Sequence, residues 1–316
     1  MRKMIFINCS DTQIIQQMFF QHFTSTRSCG GFIFERTASC CKLVPERSIF
    51  SYPWVNMETY ELHCGETPLL ISVPHAGTHL PDDIRERMGM LARILPDTDW
   101  HVDKLYEFAQ DIGAGMLVAT HSRYVVDLNR SPDDDNAHTE QVNTGFVPLQ
   151  TFSGFDLYQR GQAPDALEIQ DRAEQYWQPY HDALAAELSR LRDKFGYAIL
   201  YDAHSTFSEI PQLFDGVLPD LNLGTANGSS CAPQIERGVA EIMEKSGFST
   251  AVNGRFTGGY ITRHYGQPDR HIHALEMELS ARNYMMEIPP YDYNPDRAEI
   301  LQGVLKEIIR WLNRTS

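Results

Sequence analysis

Two histidines stand where side-chain chemistry is to be expected. Leu69-Leu-Ile-Ser-Val73 is an apolar run that ends in Pro74-His75-Ala-Gly77, and Ala198-Ile-Leu-Tyr-Asp202 is a second that ends in Ala203-His204-Ser205. Short apolar runs bounded by turn residues read as buried strands. Each strand therefore delivers an imidazole at its carboxyl edge, where open α/β sheets bind ligands. One such histidine is ordinarily a hydrogen-bonded structural residue. Two at equivalent places point to a metal, because neutral imidazole is a favoured zinc ligand and a catalytic zinc takes three protein ligands and leaves a fourth position open. The third ligand should be a carboxylate. Asp97-Thr-Asp-Trp-His-Val-Asp103 offers three acids and His101 ahead of a helix. Asp103 is the choice, weighed against the plainer role of such acids in capping a helix start.

Three further groups could act beside such a centre. Ser122-Arg-Tyr-Val-Val-Asp-Leu-Asn-Arg130 reads as a strand ending in polar residues. Arg130 is a candidate carboxylate clamp, since its planar fork can grip a carboxylate by two parallel bonds, with Asn129 adding a neutral donor. Asp127 could orient Arg130 or a ligand histidine, or equally act directly, and Arg123 could polarise a reacting carbonyl. In Asn253-Gly-Arg-Phe-Thr-Gly-Gly-Tyr-Ile-Thr-Arg263, Gly258 and Gly259 permit backbone conformations closed to other residues, which suggests a loop over substrate. In Ala274–Leu279 the strand alternation puts Glu276 and Glu278 on one face, and Glu278 is the better candidate for a general base.

The elements that must hold these groups alternate along the chain. Strands are expected at Leu69–Val73, Gly115–Ala119, Tyr124–Leu128, Ala198–Asp202 and Ala274–Leu279, and helices at Asp103–Ile112, Pro164–Phe195, Cys231–Ser246 and Asp296–Asn313. Pro179 should kink or split the second helix. The pattern predicts the α/β class, a mixed central sheet with helices on both faces.

Size and composition bound the rest. A chain of 316 residues fits one catalytic domain, residues 57–316, preceded by an extension over residues 1–56 that shows no sustained periodicity. That extension reads as a poorly ordered leader or the product of a start codon placed too far upstream. With 27 Lys and Arg against 42 Asp and Glu, the net charge is −15, which disfavours nucleic acid as a partner but not a small anion at an arginine-lined cleft. No stretch approaches the roughly 18 apolar residues of a membrane span. Six cysteines, at 9, 29, 40, 41, 64 and 231, form no CxxC pair, so reduced thiols and a cytoplasmic location are expected.

Five segments, taken in order, resemble the motifs of the N-formylglutamate amidohydrolases: Leu69-Leu-Ile-Ser-Val-Pro-His-Ala-Gly77, Ser122–Arg130, Asp202-Ala-His-Ser205, Gly258-Gly-Tyr-Ile-Thr-Arg263 and Ala274-Leu-Glu-Met-Glu278. The likeness spans about Met57 to the C-terminus. It implies a zinc carboxypeptidase-like (phosphorylase/hydrolase-like) fold, echoed locally at His204-Ser205, Asn129-Arg130 and Glu278-Leu279. It also implies one divalent ion, zinc with cobalt or manganese as substitutes, held by His75 and His204. Asn129 and Arg130 would hold a substrate carboxylate, Arg123 would assist at the carbonyl and Glu278 would activate water. The carboxypeptidase pattern has Glu three residues after the first histidine, where this chain has Thr78; Asp103 is carried forward as third ligand, with Asp99 and Asp97 open. The implied reaction is removal of formate from N-formyl-L-glutamate in histidine breakdown, with Arg263 as the second cation for a small anionic N-acyl amino acid. A zinc acylase for another N-acyl amino acid fits the same motifs. A manganese ureohydrolase, suggested by Asp202-Ala-His204, fails for want of an Asp where Thr206 stands, and a non-catalytic binder would keep the clamp without the metal.

Overall fold

The computed structural model describes residues 57–133 and 145–314, and the extension over residues 1–56 lies outside them. The elements run β1 (Tyr60–His63), β2 (Leu69–Val73), α1 (Asp82–Arg87), α2 (Val102–Tyr106), α3 (Phe108–Asp111), β3 (Gly115–Ala119), α4 (Ala166–Arg172) and α5 (Gln178–Phe195). They continue with β4 (Ala198–Thr206), β5 (Leu221–Gly224), α6 (Pro233–Lys245), β6 (Thr250–Val252), α7 (Tyr260–Tyr265), β7 (Ile272–Ser280) and α8 (Pro295–Leu312). Among the described residues the strands form one sheet in the order β1-β3-β2-β4-β7-β5-β6. The central four are parallel, and β1 and β5 run against their neighbours β3 and β7, so the sheet is mixed as expected. None of the described helices is long and apolar enough to cross a membrane.

The strand order puts a switch point between β2 and β4. From β2 the chain steps outward to β3, and it returns later to lay β4 on the other side, leaving a crevice beyond the carboxyl ends of the two strands. His75 follows the end of β2 and His204 lies near the end of β4, so both histidines flank that crevice.

Side-chain alternation explains what fills it. On one face Leu69, Ile71, Val73, Ile199, Tyr201, Ala203, Leu275, Met277 and Leu279 join an apolar core shared with α2, α6 and α8. On the other face Leu70, Ala198, Leu200 and Ala274 pack beneath α5, whose Tyr180, Leu184, Leu188 and Leu191 make a stripe at helical spacing. Farther along the strands this second face turns polar, with Ser72, Asp202, His204, Glu276 and Glu278. The polar half is the floor of the site.

Two expectations are corrected, and the break expected at Pro179 is found. Tyr124–Leu128 is not a strand but part of a run of turns. Ser122 Oγ accepts the Tyr124 amide (3.2 Å) and Asp127 Oδ1 the Asn129 amide (2.9 Å), so side chains take the N–H groups that a sheet would use. The Pro164–Phe195 helix is split into α4 and α5 by a wide π-type turn over Ala173–Trp177, just ahead of Pro179, which has no N–H for the carbonyl one turn back. Asp103–Ile112 is two short helices, α2 and α3. The turn run is itself pinned: Arg172, buried on α4, donates to Val125 O (3.0 Å) and Tyr158 Oη (2.8 Å).

Candidate active site

The two imidazoles are held the same way. His75 Nε2 lies 2.7 Å from Asp127 Oδ1, and His204 Nε2 lies 2.8 Å from Asp202 Oδ2. A carboxylate accepts a proton-bearing nitrogen, so each ring is fixed with hydrogen on Nε2 and its lone pair on Nδ1. Both Nδ1 atoms face Asp99, whose Oδ2 is 3.1 Å from His204 Nδ1 and 3.7 Å from His75 Nδ1 and also accepts the Ser205 amide (3.1 Å). All three residues are buried, at 3%, 2% and 3% exposure for His75, Asp99 and His204. Among the described residues His75 Nδ1 has no hydrogen-bond partner. A buried polar atom without a partner is costly and calls for an occupant. Two imidazole lone pairs and one carboxylate, all within 4.8 Å of one another, are a donor set suited to a divalent ion of the zinc type, so the residues present fit the metal the motifs imply.

Asp99, and not the expected Asp103, is the acid that the fold brings beside the two histidines. The Asp99 amide donates to His75 O (3.1 Å), which ties the acid beside the first histidine. His101 then takes a left-handed conformation (φ 64°), and α2 starts with Val102, Leu105 and Tyr106 turned inward and Asp103 exposed to solvent. Asp97 is also committed elsewhere, accepting from Tyr124 Oη (2.7 Å) and the Phe152 amide (2.9 Å).

Burial and charge oppose one another here, and their balance differs residue by residue. Burial alone would raise Asp127, but Arg123 and His75 outweigh it and hold the carboxyl well below its usual range. Asp99 follows the same pattern, with His204, His75 and Arg123 overcoming burial. Burial disfavours charge on His75 and Arg123 adds to this, so its pKa falls; on His204 burial is outweighed by Asp202 and Asp99, so its pKa rises. Glu278 is different. Burial pushes it well above the carboxylate range, with Asp99 and Glu276 adding to the effect and His204 opposing it.

Above this centre lies a cavity of about 220 Å³, a size suited to a small metabolite. Glu278, Glu276, Arg123, Asn129, Arg130, Arg263, Gly258 and Gly259, all expected at the site, line it together with His75 and His204. Their engagements differ. Arg123 bridges Asp127 (Nη2 to Oδ2, 2.7 Å) and Asp99 (3.6 Å) and lies over the Phe152 ring, so its guanidinium buttresses the histidine supports. Asn129 Oδ1 accepts the Ile261 amide (2.7 Å) while its Nδ2 sits 3.1 Å from His204 Nε2 and 3.4 Å from Glu276 Oε2. The amide is thus held by protein. Glu276 also accepts the Gly259 amide (2.6 Å). Arg130 is half-buried, and its Nε has no partner among the described residues. Gly258 adopts φ +112°, open mainly to glycine, and a Cβ on Gly259 would fall 2.2 Å from Asn129 Nδ2.

Sequence reasoning did not reach Asp202 as the support of His204, although residues two apart on a strand share a face. It also missed Phe152, Leu213 and Arg255, which reach the cavity from irregular segments that carry no period.

An open α/β sheet with imidazole, carboxylate and guanidinium groups converging at its switch point defines a small-molecule enzyme, and comparison with known proteins gives its family. The profile described as N-formylglutamate amidohydrolase matches residues 67–285, and the chain belongs to that family. The N-formylglutamate deformylase of Pseudomonas putida is 51% identical over 251 residues, covering 79% of this chain and 94% of that protein. The N-formylglutamate deformylase of Pseudomonas aeruginosa is 47% identical over 249 residues, covering 78% and 93%. The fold is similar to the crystal structure of N-formylglutamate amidohydrolase from Ralstonia eutropha, with a TM-score of 0.71 at 24% identity over 82% of this chain and 99% of that one. An Agrobacterium tumefaciens gene product shares the fold with a TM-score of 0.63 at 15% identity, over 80% of this chain and 94% of that one.

Proposed function

We propose that this chain hydrolyses N-formyl-L-glutamate to formate and L-glutamate, with His75, Asp99 and His204 holding one divalent ion, zinc foremost. The observation that carries the reading is the buried His75 Nδ1, without a hydrogen-bond partner among the described residues and facing Asp99 and His204 beneath an arginine-lined cavity, in a chain about half identical to named deformylases. A divalent ion bound there supplies Lewis acidity, polarising a carbonyl and acidifying nearby water.

The chain's own residues do the rest. Arg130, whose Nε has no partner among the described residues, takes the substrate carboxylate next to the formamide and sets the formyl carbon over the floor of the cavity. Glu278 faces the cavity beside His204 and accepts the proton of the attacking water, then returns it to the departing amide nitrogen. A buried acid with a raised pKa suits the second half of that exchange. Asp127 and Asp202 hold the imidazoles, Arg123 holds Asp127, and Asn129 ties the Gly258–Ile261 loop to the floor. Asn129 and Arg123 are positioning residues on this reading.

Formate release from N-formyl-L-glutamate tests it, run with and without a chelator and with N-acetylglutamate and N-formylaspartate alongside. Chelator-sensitive release restricted to N-formylglutamate is the expected result. Release from another N-acyl amino acid alone would replace the substrate, and chelator-resistant release would remove the metal from the reaction.

A further inference from the structure

We infer that Arg255 binds the distal carboxylate of the substrate and sets the preference for a diacid, in place of Arg263. This rests on the substrate reading above, because that substrate carries one carboxylate beside the formamide and a second at the end of its side chain. Each must meet a donor as it leaves water for the cavity. Four arginines line the cavity, and they are not equally free.

Arg123 is committed to Asp127 and Asp99. Arg130 lines the cavity on the side of Asp127, whose carboxyl it helps to hold down, and so serves the end of the substrate that faces the histidines. Arg263 is exposed on α7 and donates Nη1 to Gly258 O (2.5 Å). Arg255 makes no ion pair and donates no hydrogen bond within the described residues; its guanidinium carbon rests 5.8 Å from the centre of the Phe214 ring. An arginine resting against an aromatic ring keeps its N–H edge for a carboxylate.

The loop that presents Arg255 is anchored on both sides. Asn253 Oδ1 accepts the amides of Thr225 (2.8 Å) and Asn227 (3.2 Å), and its Nδ2 donates to Thr225 Oγ1 (2.8 Å) and Glu236 (3.0 Å). On the far side Gly259 is gripped by Glu276. Phe214 belongs to a segment held at Ser208, whose amide and hydroxyl both donate to Glu287 (2.5 and 2.6 Å). Little ordering is left for the substrate to impose, and a preorganised donor loses less on binding.

The test compares wild type, R255M, R255K and R263M on N-formyl-L-glutamate and on N-formyl-L-glutamine, which keeps the first carboxylate and lacks the second charge. Calorimetric titration with glutarate, a five-carbon diacid, gives a readout that needs no turnover. R255M should lower kcat/KM for N-formylglutamate by roughly 10- to 100-fold, mainly through KM, the scale of a lost charge-assisted hydrogen bond. Its activity on N-formylglutamine should stay near wild type, its glutarate binding should weaken in parallel, and R255K should fall between. R263M should keep the wild-type preference for N-formylglutamate over N-formylglutamine. The inference is overturned if R263M shows the selective loss, if R255M lowers both substrates alike, or if R255M changes neither. Wild type that binds glutarate through Arg255 yet releases no formate would sink the deformylase reading and leave this one standing; formate release indifferent to R255M would do the reverse.

Discussion

Gly259→Ala should damage both the fold and the reaction, through a residue that it does not replace. The added Cβ would lie 2.2, 2.5 and 2.6 Å from Nδ2, Cγ and Oδ1 of Asn129, where carbon contacts settle at about 3.5–4.0 Å. The whole amide of Asn129 must move by more than 1 Å. It is wedged between His204 and Glu276, so moving it breaks the 2.7 Å bond to the Ile261 amide. A buried amide left without a partner costs about 1–3 kcal/mol, and overpacking a close contact costs about as much again. The expected loss of stability is therefore about 2–6 kcal/mol, large against a total of about 5–15 kcal/mol. Activity should fall by roughly 100-fold in whatever folds, the scale of a 1 Å displacement near reacting groups. Urea unfolding followed by circular dichroism, with formate release on the same samples, measures both. The double variant Asn129→Ala with Gly259→Ala supplies the control, because alanine at 129 vacates the space the new Cβ needs. Gly259→Ala should cost at least about 1 kcal/mol less in that background than in wild type. Additive losses, or a single variant as stable as wild type, would refute the argument.

Three more outcomes are expected. Asp99→Asn should weaken metal retention against a competing chelator by at least roughly 100-fold, the upper range for groups that merely support ligands, whereas Asp103→Asn should retain metal like wild type; equal losses would undo the choice of ligand. Glu278→Gln should lower kcat by roughly 100- to 10,000-fold with glutarate binding intact, and a loss of binding without a loss of kcat would remove Glu278 from proton transfer. Burial pushes His181 down to about 4 from 6.5, so the fold favours the neutral ring. Its contribution is complete above pH 6.5 and is lost as pH falls from 6.5 toward 4, about 3 kcal/mol in all, so His181→Gln should lose less stability than wild type between pH 7 and 4.5 by urea midpoints.

Some of this site could be read from residue order, and the reasons are local. His75 and His204 were legible because an apolar strand must end somewhere and the sheet edge is where ligands gather. Glu276 and Glu278 were legible because a strand repeats every two residues. The same regularity yielded the α/β class and the mixed sheet, and the motif order yielded the family. Asp99 could not be separated from Asp103, because which acid turns inward depends on the left-handed backbone at His101, and no spacing rule forecasts that. Val125-Val126 looked like strand because β-branched residues favour strands, yet Ser122 and Asp127 capture the amides on either side. Arg255 was out of reach because it comes from a loop whose course is decided by contacts far away in the chain.

The sheet face beneath α5 divides its duties by distance along the strand, and this bears on how such a protein can change over generations. Leu200 and Ala274, under the helix, belong to the apolar core; His204, Glu276 and Glu278, farther along the same face, line the cavity and on the proposed reading serve the reaction. Glu278 lies close to Glu276 and Asp99 and is held out of water, an arrangement that weakens a fold instead of supporting it. Neutral variants at Glu278 should therefore be inactive but sturdier than the parent. A lineage released from selection for the reaction would drift toward such replacements first, keeping the scaffold while shedding its chemistry.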